Sequence, residues 1–112
     1  MSNDVQGLKF DQVDDARVSP NLELVTTLMA ILTVHNALPH DDNGIATVTI
    51  RQLLRQFAPG IHPILAEYVC AFGNHGMAVL DRYVTNNIRD EEGRKSIQAT
   101  VTTKANQFAS KL

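Results

Sequence analysis

The chain has no tryptophan, two tyrosines and four phenylalanines, so aromatic residues make up only 5% of its 112 positions. Its own absorbance at 280 nm is therefore weak, and bound nucleic acid would dominate its ultraviolet spectrum. A single cysteine, Cys70, excludes a disulfide scaffold and any Cys-rich zinc module. No long hydrophobic run is present. The most apolar stretch, Leu22 to Leu38, is interrupted by Glu23, Thr26, Thr27, Thr33, His35 and Asn36, which is too polar for a membrane span. No basic segment precedes it, as a secretory signal would require. No internal repeat or low-complexity tract occurs. These absences lead to the expectation of a soluble protein from a reducing compartment, with no membrane contact.

What is present is ordinary in bulk and uneven in detail. An apolar fraction of 44% and a charged fraction of 20% suit one globular domain and exclude a fully disordered chain. A domain of this length buries roughly 60–70% of its unfolded surface, enough for one modest core. The net charge of −2 hides an asymmetry. Residues 1–44 carry Lys9 and Arg17 against seven carboxylates, whereas residues 45–112 carry eight Lys or Arg against five carboxylates. An acidic front and a basic back permit head-to-tail attraction between copies, or an anionic partner on the back half; two differently solvated faces would look the same.

Residues 1–18 hold scattered apolar positions without a sustained period and read as an extended N-terminal arm. Val5, Leu8, Phe10 and Val13 exceed what a solvated tail needs and are candidate plugs for a groove on another molecule. Residues 19–112 read as a helical core. Ser19 is placed as an N-cap and Pro20 at the first helical position. The following run (Leu24, Val25, Leu28, Met29, Ile31, Leu32) is apolar on more than one stripe, which predicts a central helix ending near Asn36 to Leu38. Ile45 to Thr49 is either a short extended piece or the approach to the next helix. Ile50, Leu53, Leu54 and Phe57 recur at helical spacing and end at Ala58-Pro59-Gly60. A third helix is predicted from His62 to Phe72. A Gly73-Asn74-His75-Gly76 turn follows, then a fourth helix from Met77 to Ile88. The fifth, Asp90 to Phe108, starts acidic and carries Lys104 late, matching the helix dipole. The predicted fold is all-α, with about five helices behind the arm.

Little in the chain suggests catalysis. Four histidines (His35, His40, His62, His75) form no pair at the i, i+4 spacing of a zinc-protease helix. His40-Asp41-Asp42 reads as a solvated loop, Cys70 as a small buried hydrophobe, and Gly73-Asn74-His75-Gly76 lacks the lysine and preceding strand of a phosphate loop. No catalytic residue, metal site or cofactor is predicted. A different signal lies in Arg51 and Arg55, four apart on one helical face. Two planar guanidinium forks suit a phosphate backbone. Asp81, on a later helix, either orients an arginine or accepts a hydrogen bond from a ribose hydroxyl or base amine. Both arginines facing solvent would be the simpler explanation. The segment Thr47 to Val69 also admits a helix-turn-helix DNA-binding reading, although its second helix offers only His62 and Glu67 as polar readers.

At these residues the chain resembles the coat proteins of flexuous filamentous plant viruses, the potexvirus group most closely. T-I-R-Q-L-L-R-Q-F-A-P-G-I (Thr49 to Ile61) is similar to that family's T-L-R-Q helix running into an aromatic and Ala-Pro. H-G-M-A-V-L-D-R-Y-V-T-N (His75 to Asn86) resembles its aspartate-aromatic segment followed by Val-Thr-Asn, and T-K-A-N-Q-F-A-S (Thr103 to Ser110) its closing elements. The three ordered matches cover about half of the chain. The resemblance implies that Arg51 and Asp81 line a pocket for genomic RNA, with Lys104 as a third member. The family's serine after the first long helix has no counterpart in V-H-N-A-L-P-H (Val34 to His40), and the chain is unusually short for the family. The expected function is that of a capsid protein, polymerising as a helical homopolymer around single-stranded RNA in a virion and in host cytoplasm. The competing expectations are a small non-viral oligomeric helical adaptor and the DNA-binding module above.

Overall fold

A computed structural model of the protein describes residues 22–112. The expectations for the arm (Val5, Leu8, Phe10, Val13) and for Ser19 and Pro20 lie outside those residues. The described chain is all-α: α1 Leu22–Ala37, α2 Ile50–Phe57, α3 Pro63–Phe72, α4 Asn74–Asn87 and α5 Glu91–Ala109. Among the described residues no helix is long and apolar enough to cross a membrane.

α1 is the hub. Its buried residues include Val25, Leu28, Met29, Ile31, Leu32 and Val34, which spread around the helix rather than along one stripe. A helix apolar on several sides must be covered on several sides, and α2, α4 and α5 all pack against it. The one buried polar residue among the described residues, Thr26, donates its hydroxyl to the Glu23 carbonyl at 2.9 Å.

α2 is short and one-sided. Ile50, Leu53 and Leu54 are buried, whereas Arg51, Gln52, Arg55 and Gln56 are exposed. Eight residues are too few for a helix to persist on propensity alone, and a reciprocal capping box holds its start. The Gln52 amide donates to Thr49 Oγ1 at 3.1 Å while the Thr49 amide donates to Gln52 Oε1 at 2.8 Å. Its far end is pinned by Phe57, which stacks on Phe108 of α5 with ring centroids 4.2 Å apart. α3 starts with Pro63 in its first turn and His62 as N-cap, Nδ1 accepting from the Ile64 amide at 3.1 Å.

The predicted Gly73-Asn74-His75-Gly76 turn contracts to one residue. Gly73, at φ 51° and ψ −123°, closes α3 and opens α4 directly. Gly76 is buried in the first turn of α4, where an added Cβ would sit 3.6 Å from Leu32 Cδ1, an ordinary contact. The two glycines should thus respond oppositely to alanine. Gly73→Ala forces a side chain into a glycine-only backbone region and is expected to cost about 1–3 kcal/mol. Gly76→Ala is expected to be neutral or to gain up to about 1 kcal/mol from helix propensity. Thermal denaturation of both variants checks this; equal destabilisation would contradict it.

The Ile45 to Thr49 segment is the return arm of a bridged loop. His40 and Ala46 form an isolated antiparallel bridge. Asp41 Oδ1 accepts from the amides of Asn43 and Ile45, both at 2.9 Å, and Gly44 at φ 80° turns the chain.

Candidate nucleic-acid interface

The one-sidedness of α2 decides where its arginines go. With Ile50, Leu53 and Leu54 turned into the core, Arg51 and Arg55 project outward from the same helix. Arg55 has no side-chain partner among the described residues. Arg51 does: Nη1 donates to Glu67 Oε2 at 2.9 Å and Nη2 to Glu67 Oε1 at 3.3 Å, with the two side chains 49% and 67% exposed. This fork-on-carboxylate geometry fixes the guanidinium plane. Hydrogen bonds from Arg51, then its charge, hold the Glu67 carboxyl below the usual carboxylate range, and the same pairing raises Arg51 further.

Arg51 sits at the edge of an open cleft of about 530 Å³. Arg51 and Cys70 line it together with Ile50, Ile45 and Ala46, the last two from the bridged loop, and His35 from the end of α1. Cys70 lies one turn beyond Glu67 and packs against the core only partly buried, less than the buried hydrophobe expected of it. Burial pushes its thiol up, opposed by the Arg51 charge, so it is a poor nucleophile at neutral pH.

His35 Nδ1 is buried without a hydrogen-bond partner among the described residues, and the His35 ring meets His40 edge-on at 5.4 Å. Burial first, and the neighbouring His40 second, lower the His35 pKa from 6.5, outweighing the favourable end of the α1 dipole. The unfolded chain therefore binds the proton more readily than the folded one, and stability falls as pH drops below about 6.5. Melting temperature should decline between pH 7.5 and 5.5, and the decline should shrink in His35→Gln. An identical decline in both proteins would assign it elsewhere.

Asp81 is exposed on α4, next to buried Leu80, and its carboxylate makes no hydrogen bond or ion pair with another described residue. The carboxylate that orients Arg51 is Glu67. Lys104 has a different setting again. Its ammonium donates to Thr26 Oγ1 and Thr27 Oγ1, both at 2.9 Å, and to the Glu23 carbonyl at 3.2 Å. An ammonium has three donors, and all three are engaged in holding α5 to the start of α1. Arg94 is similarly occupied, Nη1 donating to the carbonyls of Ile88 and Arg89 at 2.9 Å each. The outward cations of the basic half are accordingly Arg55, Arg82, Arg89, Lys95 and Lys111, with Arg51 half-exposed in its pair.

From the sequence Glu67 stands out only as a polar reader in the helix-turn-helix alternative. A positional signal was available: Arg51 stands eight residues before Pro59 and Glu67 eight after it, so folding at that turn brings the two helices' equivalent turns together. On the side that α3 shows to solvent stand Ile64, Glu67 and Ala71, none of them cationic. No known protein family, curated protein or solved structure matches the chain.

Proposed function

We propose that this is a viral capsid protein whose copies polymerise helically along single-stranded RNA to form a flexible filament. The observation that carries the reading is the outward pair Arg51 and Arg55 on α2, within the segment that resembles the T-L-R-Q helix of flexuous-virus coat proteins. Arg51 presents an oriented fork beside an open cleft, and Arg55 adds a second cation one turn on. Contacts to phosphate and ribose make binding indifferent to sequence. Asp81 supplies an acceptor for a ribose hydroxyl or base amine. Lys104 contributes by holding the helix pair α1 and α5 that backs the site.

Assembly is physical and requires neither catalysis nor a cofactor. A head-to-tail interface that does not close generates a filament rather than a ring. The arm, residues 1–18, docks on a neighbour through Val5, Leu8, Phe10 and Val13. Each subunit grips RNA weakly, and attachment along a common strand supplies avidity. The acidic side facing the DNA-binding alternative, Glu67 at the outward surface of α3, disfavours that helix as a groove reader.

The test combines two measurements on purified protein: the ratio of absorbance at 260 and 280 nm, and electron microscopy of the same sample. RNA-containing filaments that fall apart as salt rises support the proposal. Filaments free of nucleic acid would make the protein an oligomeric adaptor, and isolated particles that ignore RNA at low salt would end the reading. Deleting residues 2–15 should shorten or abolish filaments without unfolding the core.

A further inference from the structure

We infer that Glu67 is a built-in competitor for the RNA backbone, occupying the Arg51 fork in the free subunit and giving it up to a phosphate on binding. This rests on the RNA-binding reading above and concerns the regulation of the same site.

The geometry carries the inference. Both terminal nitrogens of Arg51 point at the two oxygens of one carboxylate, at 2.9 and 3.3 Å. Two oxygens of a phosphodiester would engage the same fork in the same plane, so phosphate and Glu67 are alternatives for that edge of the guanidinium. The exchange takes place in solvent: the side chains are 49% and 67% exposed. An exposed pair of this kind is weak, so it can be opened by a competing anion. The residues come from different helices, α2 and α3, and the backbone of each is held by its own cap and core contacts. Only side chains need to move.

The pairing has two effects. It presents Arg51 already oriented, which lowers the ordering cost of taking a phosphate. It also cancels the Arg51 charge until an anion displaces Glu67, and each displacement leaves a carboxylate close to the polyanion. A lone subunit therefore holds RNA poorly, and capture becomes efficient only where many subunits share one strand. This is how a protein of net charge −2 avoids stray RNA yet coats a committed strand.

The experiment measures binding of a fluorescein-labelled oligouridylate to the wild-type chain and to Glu67→Gln, Arg51→Ala and the double variant across a salt series. Glu92→Gln, an exposed change of equal charge on α5, controls for net charge. Glu67→Gln is expected to tighten binding about two- to fivefold, the range of one exposed ion pair. In the Arg51→Ala background the same change should do no more than Glu92→Gln. Equal tightening in both backgrounds, or weaker binding in Glu67→Gln alone, overturns the competitor role. If Arg51→Ala weakens binding while Glu67→Gln does not tighten it, the inference alone fails. If Arg51→Ala leaves binding unchanged, the RNA-binding reading fails with it.

Discussion

If the protein coats RNA as proposed, replacing Arg51 by alanine is expected to yield a folded protein that no longer retains RNA in filaments. The fold should survive because the buried face of α2 is built from Ile50, Leu53 and Leu54, while the Arg51 side chain is 49% exposed. Its loss removes one exposed partner from Glu67, itself in solvent, and leaves no uncompensated buried charge. Far-ultraviolet circular dichroism should be unchanged. Binding of RNA to a single subunit should weaken about fivefold, the upper range for one exposed charge pair, and the salt dependence should flatten by about 0.7. In a filament the deficit recurs at each subunit along the strand, so a modest local loss becomes failure of co-assembly. Arg51→Lys keeps the charge but not the planar fork and should fall between the two. The readout is the 260 to 280 nm absorbance ratio of purified particles. Unchanged RNA content would remove Arg51 from the interface.

Lys104→Met is expected to act on the other side of the molecule's balance, lowering stability by about 2 kcal/mol and the melting temperature by about 8–12 °C. Methionine keeps the apolar stem of the side chain and deletes the ammonium. That head spans the first turn of α1 by three hydrogen bonds, to Glu23 O, Thr26 Oγ1 and Thr27 Oγ1. Thr26 is 2% exposed, so its hydroxyl loses a partner that water cannot readily replace, although it still donates to the Glu23 carbonyl. A buried polar atom left short of a partner is what makes such a deletion expensive. Thr27→Val should cost less in the Lys104→Met background than in the wild type, since the two share one interaction. A melting temperature within 2 °C or so of wild type would show that the ammonium contributes little to α1–α5 packing.

These two residues also mark the boundary between what local sequence conveys and what it does not. The starts of α2, α3 and α5 are readable because caps are made within one turn: Thr49 with Gln52, Pro63 behind His62, Asp90 accepting from the Gly93 amide at 3.0 Å. The central place of α1 was readable because its apolar residues spread beyond one stripe. α4 starts at Asn74, three residues before the Met77 that the sequence suggests. Two glycines so close together suggest a four-residue turn, but Gly73 alone supplies the positive φ, and Gly76 lies buried against Leu32 inside the helix. That distinction depends on how near α4 approaches α1, a property of the packed molecule.

The candidate site divides in the same way. An outward α2 arginine face followed from Ile50, Leu53, Leu54 and Phe57 claiming the inward one. The partner of Arg51 did not follow, because Glu67 is 16 residues away on another helix. The acceptors of Lys104 did not follow either, since Thr26 lies 78 residues distant. Read along the chain, Lys104 was one more cation in a basic half; in the folded protein its charge is spent on the first turn of α1. Periodicity and capping are short-range, so the amino-acid order by itself determined an all-α protein, its helices and their outward faces. Which charges remain available to a partner was decided only by tertiary packing, because a side chain's hydrogen bonds depend on which distant turns are brought within about 3 Å of it.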